Sequence, residues 1–313
     1  MSSLVDVPGI RLGHHSRGDT GVTVIAAPDG AVGAVDVRGG GPGTRETDLL
    51  EAHNTVERVH AIALCGGSAF GLAAADGVMQ ELEREGIGFP VFGPGQPGPI
   101  VPIVPAAVIF DLAVGDPANR PGAADGVAAT RAALHSGGAA TCGSIGAGCG
   151  ATAGRLRGGF GQALAEVGEW KIGAGVVANP VGEVIDPESG RFYGDATLPG
   201  VDPEKFSGLP GKMAQLNTTI GVIATDAPLS KAQAKRVAIA AHDGIARAVR
   251  PSHLPMDGDT LFVMATGDGS GVEVAELARL CAAAAELVTA SIVKAVRAAE
   301  PGLGLSSYRE LSA

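Results

Sequence analysis

Apolar runs broken by turn-forming residues organise this chain. Residues 21–27 (GVTVIAA) and 31–37 (AVGAVDV) read as the two strands of a hairpin around Pro28-Asp29-Gly30. Residues 61–65 (AIALC) form a short apolar strand. A helix is expected from Gly66-Gly67-Ser68 to about Glu85, burying Phe70, Leu72, Ala73, Val78 and Leu82. Residues 90–105 hold six prolines and predict a rigid, extended loop. A further helix is predicted from Ala123 to Ser136. Residues 172–178 and 182–185 read as a strand pair turning at Asn179-Pro180. Residues 186–215 lack hydrophobic periodicity and read as an exposed linker ending at Gly211-Lys212.

Beyond Thr218 the pattern sharpens. A β-branched strand runs to Ala224. Ser230 and Gln233 make a capping box for a helix from Lys231 to Val249, which Pro251 and Pro255 end. Asp257-Gly258-Asp259 turns into a strand over Thr260–Ala265, and an Ala-rich helix over 272–299 closes the pattern. Strands with helices outside them predict α+β layers in the order helix, sheet, sheet, helix.

Composition changes the picture in one respect. Of 313 residues, 49 are glycine and 4% aromatic, with apolar runs between the glycines. That argues for close backbone packing rather than disorder. The net charge of −10 argues against nucleic acid or an anionic membrane as partner. Cys65, Cys142, Cys149 and Cys281 lie among small apolar residues without zinc-ligand spacing, so reduced, buried thiols are expected. The first residues lack a signal-peptide pattern and no apolar stretch is long enough to span a membrane, so a cytoplasmic location is expected.

The candidate chemistry centres on Asn217-Thr218, which sits where a loop enters a strand. Cleavage of that bond would leave Thr218 with a hydroxyl nucleophile and a free α-amine as its base. A free α-amine has a pKa of about 7.7–8.0, against about 10.4 for lysine. The same letters also make a loop-to-strand junction and an N-x-Thr glycosylation sequon. Asp257 and Asp259, one residue apart, either orient an amine or form a solvated turn. Asn179 either donates to an oxyanion or sets the turn with Pro180. Residues 148–154 miss a nucleotide-binding glycine pattern by one residue, no Gly-Lys-Ser/Thr follows, and the seven histidines are dispersed. No cofactor and no metal are therefore expected.

Several segments together carry a family likeness. VPGIRLGHH at the start, VRGGGPGTRETDLL (37–50), LCGGSAFGLAAADGV (64–78), VPIVPAAVIFDL (101–112), GAGCGATAG (146–154), GAGVVANPVGEV (173–184) and NTTIGVIATDA (217–227) span nearly the whole chain. The chain resembles the DmpA-like aminopeptidases, β-aminopeptidases included, and within that superfamily the nylon-oligomer hydrolase type. The resemblance implies a four-layer αββα sandwich of the DmpA/ornithine-acetyltransferase-like type. It implies one domain over 1–313 that cuts itself into an α chain (1–217) and a β chain (218–313), assembled as a homotetramer of αβ units. Asn217 would precede the cut, Thr218 would be the nucleophile and Asn179 the oxyanion-side asparagine. Asp257 and Asp259 stand where the nylon-hydrolase type has two aspartates and the β-aminopeptidase type has Ser and Glu. Where that branch has a lysine after the Gly-Ala-Thr-x-Gly segment, this chain has Arg155, with Arg157 nearby; arginine keeps the charge but cannot exchange a proton near neutrality. The implied activity is hydrolysis of small amides, short peptides or linear oligoamides through a Thr acyl-enzyme. The alternatives are an acyltransferase using the same acyl-enzyme and an uncleaved, non-catalytic relative.

Overall fold

A computed structural model describes residues 3–136, 141–211 and 217–312. A nine-stranded mixed sheet contains β1 (Arg11–Arg17), β2 (Thr20–Val37), β3 (Thr44–Arg45), β4 (Arg58–Cys65), β5 (Ala106–Val108), β6 (Gly159–Val167), β7 (Trp170–Ala178), β8 (Ile220–Thr225) and β9 (Thr260–Ala265). Its order is β6-β7-β8-β9-β2-β4-β5-β3, with β1 also pairing with β2. The pairs β8/β9 and β4/β5 are parallel and the others antiparallel. Four long helices complete the fold: α1 (Ala74–Arg84), α2 (Ala123–His135), α3 (Lys231–Ala248) and α4 (Val274–Ala298).

Side-chain alternation sorts the strands into layers. Val22, Val24 and Ala26 of β2, with Ala61, Ala63 and Cys65 of β4, pack outward against α1 and α2. Leu261, Val263 and Ala265 of β9 and Ile172, Ala174 and Val176 of β7 face α3 and α4. Between them lies a third core. Ile25, Ile62 and Leu64 from one half of the sheet meet Val177, Ile220, Val222, Phe262 and Met264 from the other. Three stacked cores make four layers, αββα.

The 18-residue strand β2 belongs to both sheet layers. Pro28-Asp29-Gly30 is therefore not a hairpin turn, as the sequence led us to expect, but a bulge. The β2/β4 register jumps from Ala26↔Ala61 to Ala31↔Val59, with Gly30 at φ +78°. Partner strands satisfy the backbone on either side, and the extra residues bend β2 from one layer into the other. The glycine content serves contact. A Cβ on Gly77 would stand 1.8 Å from the Ala123 carbonyl oxygen, and one on Gly126 2.0 Å from that of Ala74, so α1 and α2 touch through their backbones.

Three further expectations are corrected. The helix expected from Gly66 starts as a 3-10 segment, Ser68–Ala73, before α1. Its three-residue turn changes the phase of the side chains, leaving Phe70 55% exposed beneath the Arg120 guanidinium and Ala73 exposed. The partner of β7 within the 159–185 region is β6, not 182–185. Pro180 has no N–H, so the chain leaves the ladder after Asn179. The 186–211 stretch is no exposed linker, because Phe192, Val201 and Phe206 are buried against the α3/α4 core. The remainder of that expected linker, 212–215, lies outside the described residues. No helix among the described residues is long and apolar enough to cross a membrane.

Candidate active site

Strand directions bring three distant segments together. Because β7 and β8 are antiparallel, the exit of β7 at Asn179 lies beside the entrance of β8. Because β8 and β9 are parallel, their entrances lie side by side. Asn179, Asn217-Thr218 and Asp257-Gly258-Asp259 therefore meet at one end of the sheet. All five side-chain-bearing residues are buried, none above 5% exposed.

The backbone fixes the junction. Thr218 N–H donates to the Asn179 carbonyl (2.9 Å), and Thr260 N–H donates to the Thr219 carbonyl (3.1 Å). The Asn217 carbonyl oxygen accepts from Gly258 N–H at 3.0 Å and from the Thr218 hydroxyl at 2.6 Å. The Asn217 side-chain amide donates to the Pro180 carbonyl (2.7 Å). A hydroxyl thus rests on the carbonyl of the peptide before it, and a fixed N–H donor points at the same oxygen. This is how a carbonyl is prepared to carry negative charge. Gly258 leaves room for it, since a Cβ there would lie 2.7 Å from Thr218 Oγ1.

The glycine-rich segment Arg38–Glu46 serves this turn. Gly39 N–H donates to the Asp259 carbonyl (3.3 Å) and Gly41 N–H to that of Asp257 (2.8 Å). The loop backs the acidic turn with main-chain donors.

The two aspartates are not a solvated turn, each being 1% exposed. Asp259 accepts from Thr219 N–H through Oδ1 (2.8 Å), and its Oδ2 lies 2.7 Å from His253 Nδ1. Asp257 accepts from Leu254 N–H (2.9 Å) and Val181 N–H (3.3 Å). Burial, and then the neighbouring Asp259 charge, push the Asp257 carboxyl above the usual carboxylate range. Asp259 thus braces the backbone next to Thr218, and Asp257 braces the turns at Val181 and Leu254. The Asn179 side chain accepts from Thr152 N–H (2.8 Å) and donates to the Phe110 carbonyl (3.2 Å).

Arg155 stands on the other side of Asn217. Its Nε donates to Glu183 at 2.8 Å and its Nη1 to the Ser207 carbonyl at 3.1 Å. Two cavities meet Asn217 and Phe110. One, of about 230 Å³, also touches Thr218, Gly41, Pro42, Gly43, Ser68 and Met256. The other, of about 290 Å³, touches Arg155, Val114, Leu209 and Leu305. Sequence reasoning passed over His253 and Phe110 and read Gly258 only as a turn. A lone histidine in a Pro-Ser-His-Leu-Pro stretch carries no spacing signal.

Among the described residues, Glu81, Glu85 and His135 are the group whose donor atoms lie close enough together to share a metal ion. Glu81 already takes the guanidinium groups of Arg84 (2.6 Å) and Arg131 (2.8 Å), which hold its carboxyl down to about 2. A dication would have to displace two cations, and the cluster reads as an ion-pair knot joining α1 to α2.

Comparison with known proteins gives the family. The model of peptidase family S58 matches residues 2–308. A Mycobacterium leprae protein described as an uncharacterized aminopeptidase is 44% identical across 98% of this chain and 93% of its own. A 6-aminohexanoate-oligomer endohydrolase from a Kocuria species is 33% identical across 84% of this chain and 74% of its own. Among solved structures, a Burkholderia β-aminopeptidase superposes with a TM-score of 0.75 at 25% identity, covering 97% of this chain and 90% of that one. The L-aminopeptidase D-Ala-esterase/amidase of Ochrobactrum anthropi, described as a variant of the Ntn-hydrolase fold, gives 0.74 at 21% identity over 95% and 86% of the two chains.

Proposed function

The chain belongs to peptidase family S58 and is a hydrolase of peptide or amide bonds, and from that premise we propose that it activates itself by cutting between Asn217 and Thr218. Thr218 Oγ attacks the Asn217 carbonyl carbon. The tetrahedral oxygen is held by Gly258 N–H, the C–N bond breaks, and the hydroxyl proton ends on the departing Thr218 nitrogen. Water opens the resulting ester, leaving an Asn217 carboxylate and a free Thr218. One folded domain is thereby severed into 1–217 and 218–313.

In the mature enzyme the Thr218 amine takes the proton from its own hydroxyl as Oγ attacks a substrate amide, then passes it to the leaving amine. Water hydrolyses the acyl-enzyme. Asp257 and Asp259 keep the Thr218 strand entrance in place, and backbone N–H groups with Asn179 steady the oxyanion, each such donor being worth about 3–4 kcal/mol. The substrate is a small amide, a short peptide or a linear oligoamide.

The observation that carries this reading is the Asn217 carbonyl oxygen, buried between Gly258 N–H and the Thr218 hydroxyl. Intact-mass spectrometry tests it. Wild type should give two chains with the second beginning at Thr218, and Thr218→Ala should stay whole. A wild-type chain that remains single after long incubation defeats the proposal.

A further inference from the structure

Asp259 has a partner that the cut itself does not require. His253 lies between α3 and β9, four residues before Asp257. Its φ of +56° is a left-handed conformation that costs a non-glycine residue of order 1 kcal/mol. The conformation aims the ring inward. Nδ1 sits 2.7 Å from Asp259 Oδ2, with the histidine side chain 18% and the aspartate 2% exposed. The other Asp259 oxygen holds the N–H of Thr219, the residue after Thr218. A carboxylate accepting on both oxygens is locked against rotation, and here one lock is the strand that carries Thr218.

The surroundings make this contact selective. The His253 ring packs edge-on to His242 of α3, centroids 5.0 Å apart. His242 Nε2 lies 3.0 Å from the Asp36 carbonyl, and burial pushes its pKa down to about 4, leaving it neutral. Among the described residues, His253 faces Asp259 and Asp257 on the following turn and His242 on α3. Asp36 and Arg38 of the β2 end lie behind His242. His253 Nε2 is buried without a hydrogen-bond partner among the described residues. The ring's one polar bond thus goes to Asp259.

We propose that His253 is a positioning residue of the Thr218 site, acting through Asp259 to fix the strand entrance that presents the Thr218 hydroxyl. This rests on the reading of Thr218 as nucleophile. Its test is designed around the backbone. Glycine and asparagine both tolerate a left-handed φ, so neither adds strain. His253→Gly removes the donor, whereas His253→Asn keeps a short N–H donor at nearly the same place. We expect His253→Gly to slow splitting of freshly translated precursor, and to lower kcat of the mature enzyme on a chromogenic amide, by about tenfold to a hundredfold, the scale of a misplaced reacting group. KM should hold, and His253→Asn should return both rates to within about threefold of wild type. The double variant His253→Gly/Asp259→Asn should be no slower than Asp259→Asn alone, because the two act in series. Splitting and turnover at wild-type rates in His253→Gly would overturn the inference. So would equal losses in the Gly and Asn variants, or additive losses in the double variant. Failure of the nucleophile reading shows separately, as a wild-type chain that never splits.

Discussion

The two cavities that meet at Asn217 are built differently. The one against Thr218 is lined by the small residues Gly41, Pro42, Gly43, Ser68 and Ala69 together with Val108, Phe110 and Met256, most of them at strand ends or on loops hydrogen-bonded to strands. The one beyond Asn217 is lined by the apolar side chains of Phe110, Ala113, Val114, Leu209, Pro210, Leu303 and Leu305 together with Thr152, Arg155, Ser306 and three glycines, on segments outside the nine-stranded sheet. Sheet register fixes the first to within a hydrogen bond. The second can change residue by residue without disturbing a ladder. On the proposed reading, chemistry falls on the rigid side and choice of substrate on the variable side, the division expected of loops carried by a scaffold.

The sharpest way to break that contrast is Gly258→Ala. Its N–H faces the Asn217 carbonyl, and an added Cβ would meet Thr218 Oγ1 at 2.7 Å and the Gly41 carbonyl oxygen at 2.9 Å. One of these groups must move. Losing a placed oxyanion donor costs about a hundredfold or more in rate. Precursor splitting, followed by intact mass, should slow on that scale while circular dichroism stays native. Splitting at the wild-type rate would mean that the rigid side tolerates what its geometry forbids.

The same contrast governs what could be read from the sequence. The strand pattern of β8 and β9, the Ser230–Gln233 box and helices α3 and α4 follow from local periodicity and capping, and the structure has them within about two residues of the expected ends. Asn179, Asn217, Thr218, Asp257 and Asp259 stood out by residue type and by family likeness, and strand direction brings them to one place. Pro28-Asp29-Gly30 misled because a hairpin and a bulge share turn chemistry. Distant strands β4 and β9 decide between them. Phe192 and Val201 enter the core singly from irregular chain and Phe206 from a five-residue helix, Pro203–Ser207, too short for a period to betray it. His253 was illegible because its role depends on one backbone angle and a partner six residues away.

A smaller effect sharpens the variable side. Leu305 is half-buried in the cavity that also holds Arg155. Leu305→Trp should fill that space. Apolar pockets discriminate by about 1–3 kcal/mol per group fitted or excluded, so KM should rise about tenfold for amides with long acyl chains. Short acyl amides and self-cleavage should be unaffected. Steady-state kinetics over an acyl-length series reads this out. A matching loss of kcat on every amide, or slowed splitting, would join the two cavities into one functional unit.

The smallest effect concerns the wall between the cavities. Phe110 lines both, and its neighbour Asp111 pins the Gly66-Gly67-Ser68 turn, accepting from Gly67 N–H (2.6 Å) and from the Thr20 hydroxyl (2.7 Å). Burial raises the Asp111 carboxyl from 3.8 to about 6 despite those two bonds. The sign follows from linkage. The folded chain holds this proton more tightly than the unfolded chain does. The stability it contributes is therefore full below about pH 4 and lost as pH rises through about 6. In Asp111→Asn, the amide oxygen still accepts from Gly67 and the amide nitrogen donates to Thr20, but nothing titrates. On a Thr218→Ala background, which keeps the chain whole, the melting temperature of the Asn variant relative to its parent should climb by a few degrees between pH 4 and pH 7. Other ionisations cancel in that difference, including the opposing Glu81 knot, whose stability is lost only as pH falls toward about 2. A pH-independent difference would mean that Asp111 does not titrate in this window and that the wall is held by shape alone.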